Sequence, residues 1–161
     1  MLRVPLQTKE NQNKYKKICE KEKMIINAEN MILGRIATFA AKEALLGEEI
    51  NIINCKKALM TGNKKQILAK YRQKNQMGKP QKGPFIPKRA DRFVKRTIRG
   101  MLPYKQEKGR KAFERIRCYI NIPEGLKDKK AEVIEKANIT KVPNLKYITV
   151  EDICKSIGAK W

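Results

Sequence analysis

Apolar residues recur along this chain in two periods. Leu33, Ile36, Ala37, Ala40 and Ala44 share one face at helical spacing and Gly47 follows them, which predicts a helix over about 33–46. Short β-branched runs stand on either side, 24–27 (Met-Ile-Ile-Asn) and 49–55 (Glu-Ile-Asn-Ile-Ile-Asn-Cys), and read as strands. Strand, helix and strand with short connections make the βαβ unit of a parallel sheet, so an α/β fold is expected. Further on, Thr61 or Asn63 is placed to cap a helix reaching about Gln73. Phe93, Val94, Thr97, Ile98 and Met101 form one stripe of a helix over 89–100, with Arg92, Lys95, Arg96 and Arg99 off it. A shorter helix over about 110–117 would turn Phe113 and Ile116 inward, and 118–122 reads as a strand closed by Pro123. A helix over 129–137 and an extended 146–149 follow. Thr149 with Asp152 resembles a capping box, and Ile148 with Ile153 its hydrophobic staple, opening a last helix that ends near Gly158.

The 161 residues suit a single domain over 24–161, preceded by a polar, Lys-rich extension over 1–23. A hydrophobic content of 41% supports a real core, and no apolar run approaches the ~20 residues that span a bilayer. The N-terminus lacks the apolar centre of an export signal, so a cytoplasmic location is expected. Charge changes the picture more. Residues 56–117 hold 21 Lys and Arg against Asp91, Glu107 and Glu114, whereas 1–55 carry 9 basic against 7 acidic and 118–161 carry 8 against 6. Most of the formal net +22 therefore sits in the basic midsection 56–117. A block of like charge repels itself unless a polyanion neutralises it, and nucleic acid is the polyanion that suits Lys and Arg. Within the block, 74–88 is a Pro/Gly-rich connector without periodicity, a basic loop expected to order against its ligand.

Candidate chemistry is sparse. Cys19, Cys55, Cys118 and Cys154 are far apart with no C-x-x-C pair, and the chain has no histidine. That pattern argues for reduced structural thiols rather than a metal site, and removes the His-activated nucleophiles. Gly62-Asn63-Lys64-Lys65 lacks the first glycine and the hydroxyl of a phosphate-hydrolysing loop. Leu33-Gly34-Arg35 lacks the three-glycine dinucleotide fingerprint, and Gly34 reads instead as allowing close helix-to-sheet packing. No catalytic residue, metal, cofactor, membrane contact or small-molecule substrate is expected.

The basic midsection points to nucleic acid. Lys64, Lys65, Arg92, Arg96, Arg99, Arg110 and Lys111 are candidates for phosphates, and Gly62 and Gly100 for close backbone approach. Tyr104 is a candidate for base stacking. Thr61 and Asn63 of the turn, with Lys88, Arg89, Lys105, Lys108 and Gly109, complete the set. Met101 and Leu102 read as core residues. A free-standing RNA-binding regulator or an RNA-processing enzyme is the alternative that composition leaves open.

Three strings in order then carry a resemblance: Leu33-Gly34-Arg35-Ile36-Ala37; Asn54 followed by Thr61-Gly62-Asn63-Lys64; and Arg99-Gly100-Met101-Leu102-Pro103 with Gly109-Arg110 and Tyr119. From about Met24 to Trp161 the chain resembles the L thirteen family of large-subunit ribosomal proteins, and in 85–99 and 146–161 its archaeal and eukaryotic branch. Asn121 departs from it, since many members have Gly there. The resemblance implies a three-layer α/β/α domain with a small, largely parallel sheet and no catalytic activity. It also implies binding to large-subunit ribosomal RNA, a role in assembling that subunit, and contact with neighbouring ribosomal proteins. By motif match, 61–65 and 99–110 are the implied RNA-contacting regions.

Overall fold

A computed structural model describes residues 23–160 apart from 80, 128, 144 and 145. The expected extension over 1–23 therefore lies outside the described residues except for Lys23. The chain opens with strand β1 (Met24–Asn27), helix α1 (Leu33–Leu46) and strand β2 (Ile50–Ile53), the βαβ unit that the apolar spacing predicts. It continues through β3 (Leu59–Thr61), α2 (Lys64–Gln76), α3 (Ala90–Met101), α4 (Glu107–Glu114) and β4 (Ile116–Cys118). Strand β5 (Tyr147–Thr149) and α5 (Val150–Ser156) complete it.

The fold is α/β. β1, β2 and β4 form a parallel sheet in that spatial order, with Met24 and Ile116 each opposite Ile50. Two right-handed crossovers stepping the same way across a sheet place their helices on the same face. Accordingly α1 packs against both α3 and α4. The strand residues on that face, Ile26, Ile50, Ile52 and Ile116, are fully buried in the main core with Ile36, Ala40, Val94 and Ile98. Ile25, Asn51 and Ile53, on the other face, are also buried. Burial on both faces explains why β2 reads as a nearly continuous apolar run rather than an alternating one.

Polar groups fix the ends of these strands. The Asn54 side-chain amide donates to Asn27 Oδ1 at 3.0 Å, tying the ends of β1 and β2, and Asn54 itself adopts a left-handed conformation (φ 57°). A second, antiparallel pair, β3 with β5, brings the C-terminal helix onto the core, where Val150, Ile153 and Cys154 are buried. Thr149 Oγ1 accepts from the Asp152 amide at 3.1 Å, and Ile148 and Ile153 are both buried, as cap and staple require.

Five expectations are corrected. The helix anticipated over 129–137 does not form: Asn27 donates to the Glu132 carbonyl (3.1 Å) and the Glu132 amide to the Ile25 carbonyl (2.7 Å), closing the edge of β1. Pairing a sheet edge outweighs weak helical propensity there, and only a 3₁₀ turn at Glu135–Ala137 remains. The short helix over 110–117 begins and ends earlier, at Glu107–Glu114, and in place of the strand expected over 118–122 the strand is Ile116–Cys118. Ile116 and Cys118 face the core while Arg117 alternates outward, a period of two. Gly34 is exposed, and a Cβ there would meet nothing within 4 Å, so it does not serve close helix-to-sheet packing. Leu102 is buried, but Met101 is 42% exposed and its sulfur accepts from the Thr38 hydroxyl at 3.5 Å. Asn121, where a glycine would be common, is not among the residues of positive φ, so its turn does not require one.

Candidate nucleic-acid interface

Helix α3 has two faces. Ala90, Phe93, Val94 and Ile98 are buried, while Arg92, Arg96 and Arg99 are exposed and Lys95 half-buried. The four cations recur at i, i+3, i+4 and i+7, so they share the stripe opposite the core-facing one. Among the described residues none of the four pairs with a carboxylate. Aromatic rings and a carbonyl hold three of them instead. Arg96 donates to the Phe85 carbonyl, the Lys95 ammonium lies 4.7 Å from the centre of the Phe113 ring, and the Arg99 guanidinium lies 5.4 Å from that of Tyr104. Tyr104 and Phe113 meet edge to face at 5.4 Å. Rings orient the cations without cancelling their charge, which leaves them available to an anion.

These side chains border a groove of about 590 Å³ between the Phe85-Ile86-Pro87 segment and Phe113. Phe85 is 67% exposed, whereas Ile86 packs against the core. A second cleft, sharing Ile86, Pro87 and Arg96, continues to Gly100, Tyr71 and Lys74. Tyr71 packs on Phe93 at 5.3 Å and so joins α2 to α3. Burial lifts the Tyr71 phenol above its usual range, against the pull of the Arg96 charge.

The other candidate residues fall elsewhere. The turn before α2 is built by local rules: Gly62 has a φ of 131°, its amide donates to the Lys146 carbonyl at 2.8 Å, and Asn63 Oδ1 caps the helix by accepting from the Lys65 amide at 3.1 Å. Thr61, Lys64 and Lys65 are exposed there. Lys64 lies about 15 Å along α2 from Lys74, at ~1.5 Å rise per residue. Lys64 pairs with Asp152 (3.7 Å) and Lys111 with Glu107 (2.7 Å), both at the surface, where such pairs contribute little, and the exposed Arg89 pairs with the largely buried Asp91 side chain (3.0 Å). Lys88 lies against Gly158, and Lys105, Lys108 and Arg110 are exposed on the segment around α4. Gly109 is buried: a Cβ there would sit 2.2 Å from the Pro103 carbonyl oxygen, so the glycine serves packing of α4 on the 103–104 turn. The structure thus gathers Arg92, Arg96, Arg99 and Gly100, and adds Lys74, Phe85, Ile86, Pro87, Lys95 and Phe113, which the candidate set omitted. The signal for three of the additions was present as an apolar triplet, Phe85-Ile86-Pro87, inside a stretch without acidic residues.

A family model described as ribosomal protein L13 matches residues 21–125. The chain belongs to that family. Its archaeal relatives include large ribosomal subunit protein uL13 of Methanococcus maripaludis, 43% identical over 143 residues that cover 86% of this chain and 99% of the relative. The proteins of the same name from Methanosarcina barkeri (41% over 138 residues; 85% and 99%) and Methanopyrus kandleri (40% over 145; 89% and 91%) are similarly close. Membership in the L13 family makes this a ribosomal protein and not an enzyme, and its relatives bear out the expected archaeal likeness. The basic stripe and its groove lie inside the matched region, as do Cys55 and Cys118. Cys55 and Cys154 are buried free thiols and Cys118 is half-buried. The neighbouring Cys118 side chain, then burial, push the Cys55 thiol well up, and burial lifts Cys154 to about 12. Among the described residues no helix is long and apolar enough to cross a membrane, and no cluster of three or more Cys, Asp or Glu is placed to hold a metal.

Proposed function

We propose that this chain is a structural component of the large ribosomal subunit that binds large-subunit ribosomal RNA through the α3 stripe and its flanking clefts, and supports subunit assembly. The observation that carries the reading is the row of four cations, Arg92, Lys95, Arg96 and Arg99, lacking carboxylate partners among the described residues and framed by aromatic rings. Such a row matches phosphates spaced along a folded strand and contributes affinity by releasing counterions. The Thr61–Lys65 turn, beyond the far end of the cleft system, supplies a second phosphate contact through its exposed lysines. Neighbouring ribosomal proteins meet the less basic surface, and the protein acts in the cytoplasm on the ribosome.

Fractionating an extract on a density gradient tests this. The protein should sediment with the large subunit and leave it only in high salt. A protein that runs free of ribosomes at low salt is instead an independent RNA-binding regulator.

A further inference from the structure

The groove between Phe85 and Phe113 has more than charge. Aromatic and aliphatic side chains line it together with the four cations, and its volume of about 590 Å³ is of the order that accommodates a small ligand. Phe85 is presented rather than merely left out. The ring lies against Gly83, where a Cβ would come within 3.1 Å and 3.2 Å of two of its carbons, and Gly83 has a φ of 83° that disfavours any side chain. A Cβ at Gly78 would in turn strike the Gly83 carbonyl at 1.8 Å. On the other side, Arg96 donates to the Phe85 carbonyl and the half-buried Ile86 packs against the core. Gly78, Gly83 and Ile86 therefore hold the exposed Phe85 ring beside three arginines.

We propose that this groove takes a single unpaired nucleotide of the bound RNA, its base stacked on Phe85 and its flanking phosphates on Arg92, Arg96 and Arg99. The inference rests on the RNA-binding reading above and adds which part of the RNA enters. The chemistry discriminates among occupants. A paired base offers no free face, whereas an unstacked one offers a flat π surface with an anionic group on either side. An apolar side chain of a protein partner would cover the same ring but desolvate the cations without a counter-charge. Arg96 keeps spare donors after serving the Phe85 carbonyl, because a guanidinium has five.

The test uses the full-length chain and two RNA hairpins with equal numbers of phosphates, one fully paired and one with a single bulged 2-aminopurine. The bulged hairpin should bind more tightly, by roughly 5- to 150-fold, the range one base–aromatic stack carries, and the fluorescence of its bulged base should be quenched. Phe85→Ala should remove the preference and the quenching while leaving the salt dependence and helical signal unchanged, and Phe85→Tyr should retain both. Equal affinity for the two hairpins, or a preference that survives Phe85→Ala, overturns the groove assignment and leaves the RNA-binding reading standing. Failure to bind either hairpin overturns both.

Discussion

Arg96 and Arg99 each hold a local contact, with the Phe85 carbonyl and the Tyr104 ring, while keeping a charge that no carboxylate among the described residues offsets. A double Arg96→Ala, Arg99→Ala variant should therefore fold with an unchanged helical signal. Its log affinity for RNA should depend less steeply on log salt, by about 2, roughly one for each phosphate that an arginine no longer neutralises. Loss of the helical signal would instead make the two arginines structural. Cys154 belongs to the same scale. Burial raises its folded pKa from an ordinary 9.0 to about 12, so below pH 9 the thiol is protonated folded or unfolded and its contribution to stability is intact. Between pH 9 and 12 the unfolded chain ionises while the folded one keeps its proton, and that contribution is progressively lost. Urea midpoints taken from pH 7 to 11 should fall more steeply for the natural chain than for Cys154→Ala; parallel curves would remove Cys154 from the account.

At the level of elements, two glycines in the same motif play opposite parts. Gly109 sits in α4 against Pro103, where a Cβ would come 2.2 Å from backbone oxygen, whereas Gly100 lies exposed near the end of α3 with open space around it. Gly109→Ala should destabilise the fold by about 1–3 kcal/mol, as overpacking does. Gly100→Ala should be neutral or stabilise by up to ~1 kcal/mol through helix propensity, yet weaken RNA binding if the backbone approaches the strand there. Thermal unfolding and RNA titration of both variants separate these effects. A destabilised Gly100→Ala would overturn the contrast between the two glycines.

Across the whole molecule, a small apolar scaffold carries a strongly charged band in its middle third. The core draws on α1, α3 and α5 and the parallel sheet, elements that all lie between Met24 and Ser156. Deleting 1–23 should leave the fold and incorporation into large subunits intact, read by gradient sedimentation of the truncated protein. A loss of incorporation would give the extension a part in assembly. The same band makes the isolated protein self-repelling, and bound RNA should raise its melting temperature, since a ligand held only by the folded state stabilises it.

Local rules were legible where one element decides its own form. The α1 stripe, a cap at Thr61 or Asn63, the Thr149 cap and the two-faced α3 all follow from spacing within a few residues, and the charge bias of 56–117 needed no fold at all. Contacts between distant parts were not legible. β3 is three residues long and exists because β5, far downstream, pairs with it; 131–133 abandons helix because β1 has an open edge. The binding groove is of this second kind. Sequence alone determined that the protein is a basic α/β RNA-binding candidate, because charge and periodicity are carried residue by residue. Which four cations stand together, which glycine is buried, and that Phe85 faces them across a groove were decided only by tertiary packing, because those relations depend on where separate segments come to rest.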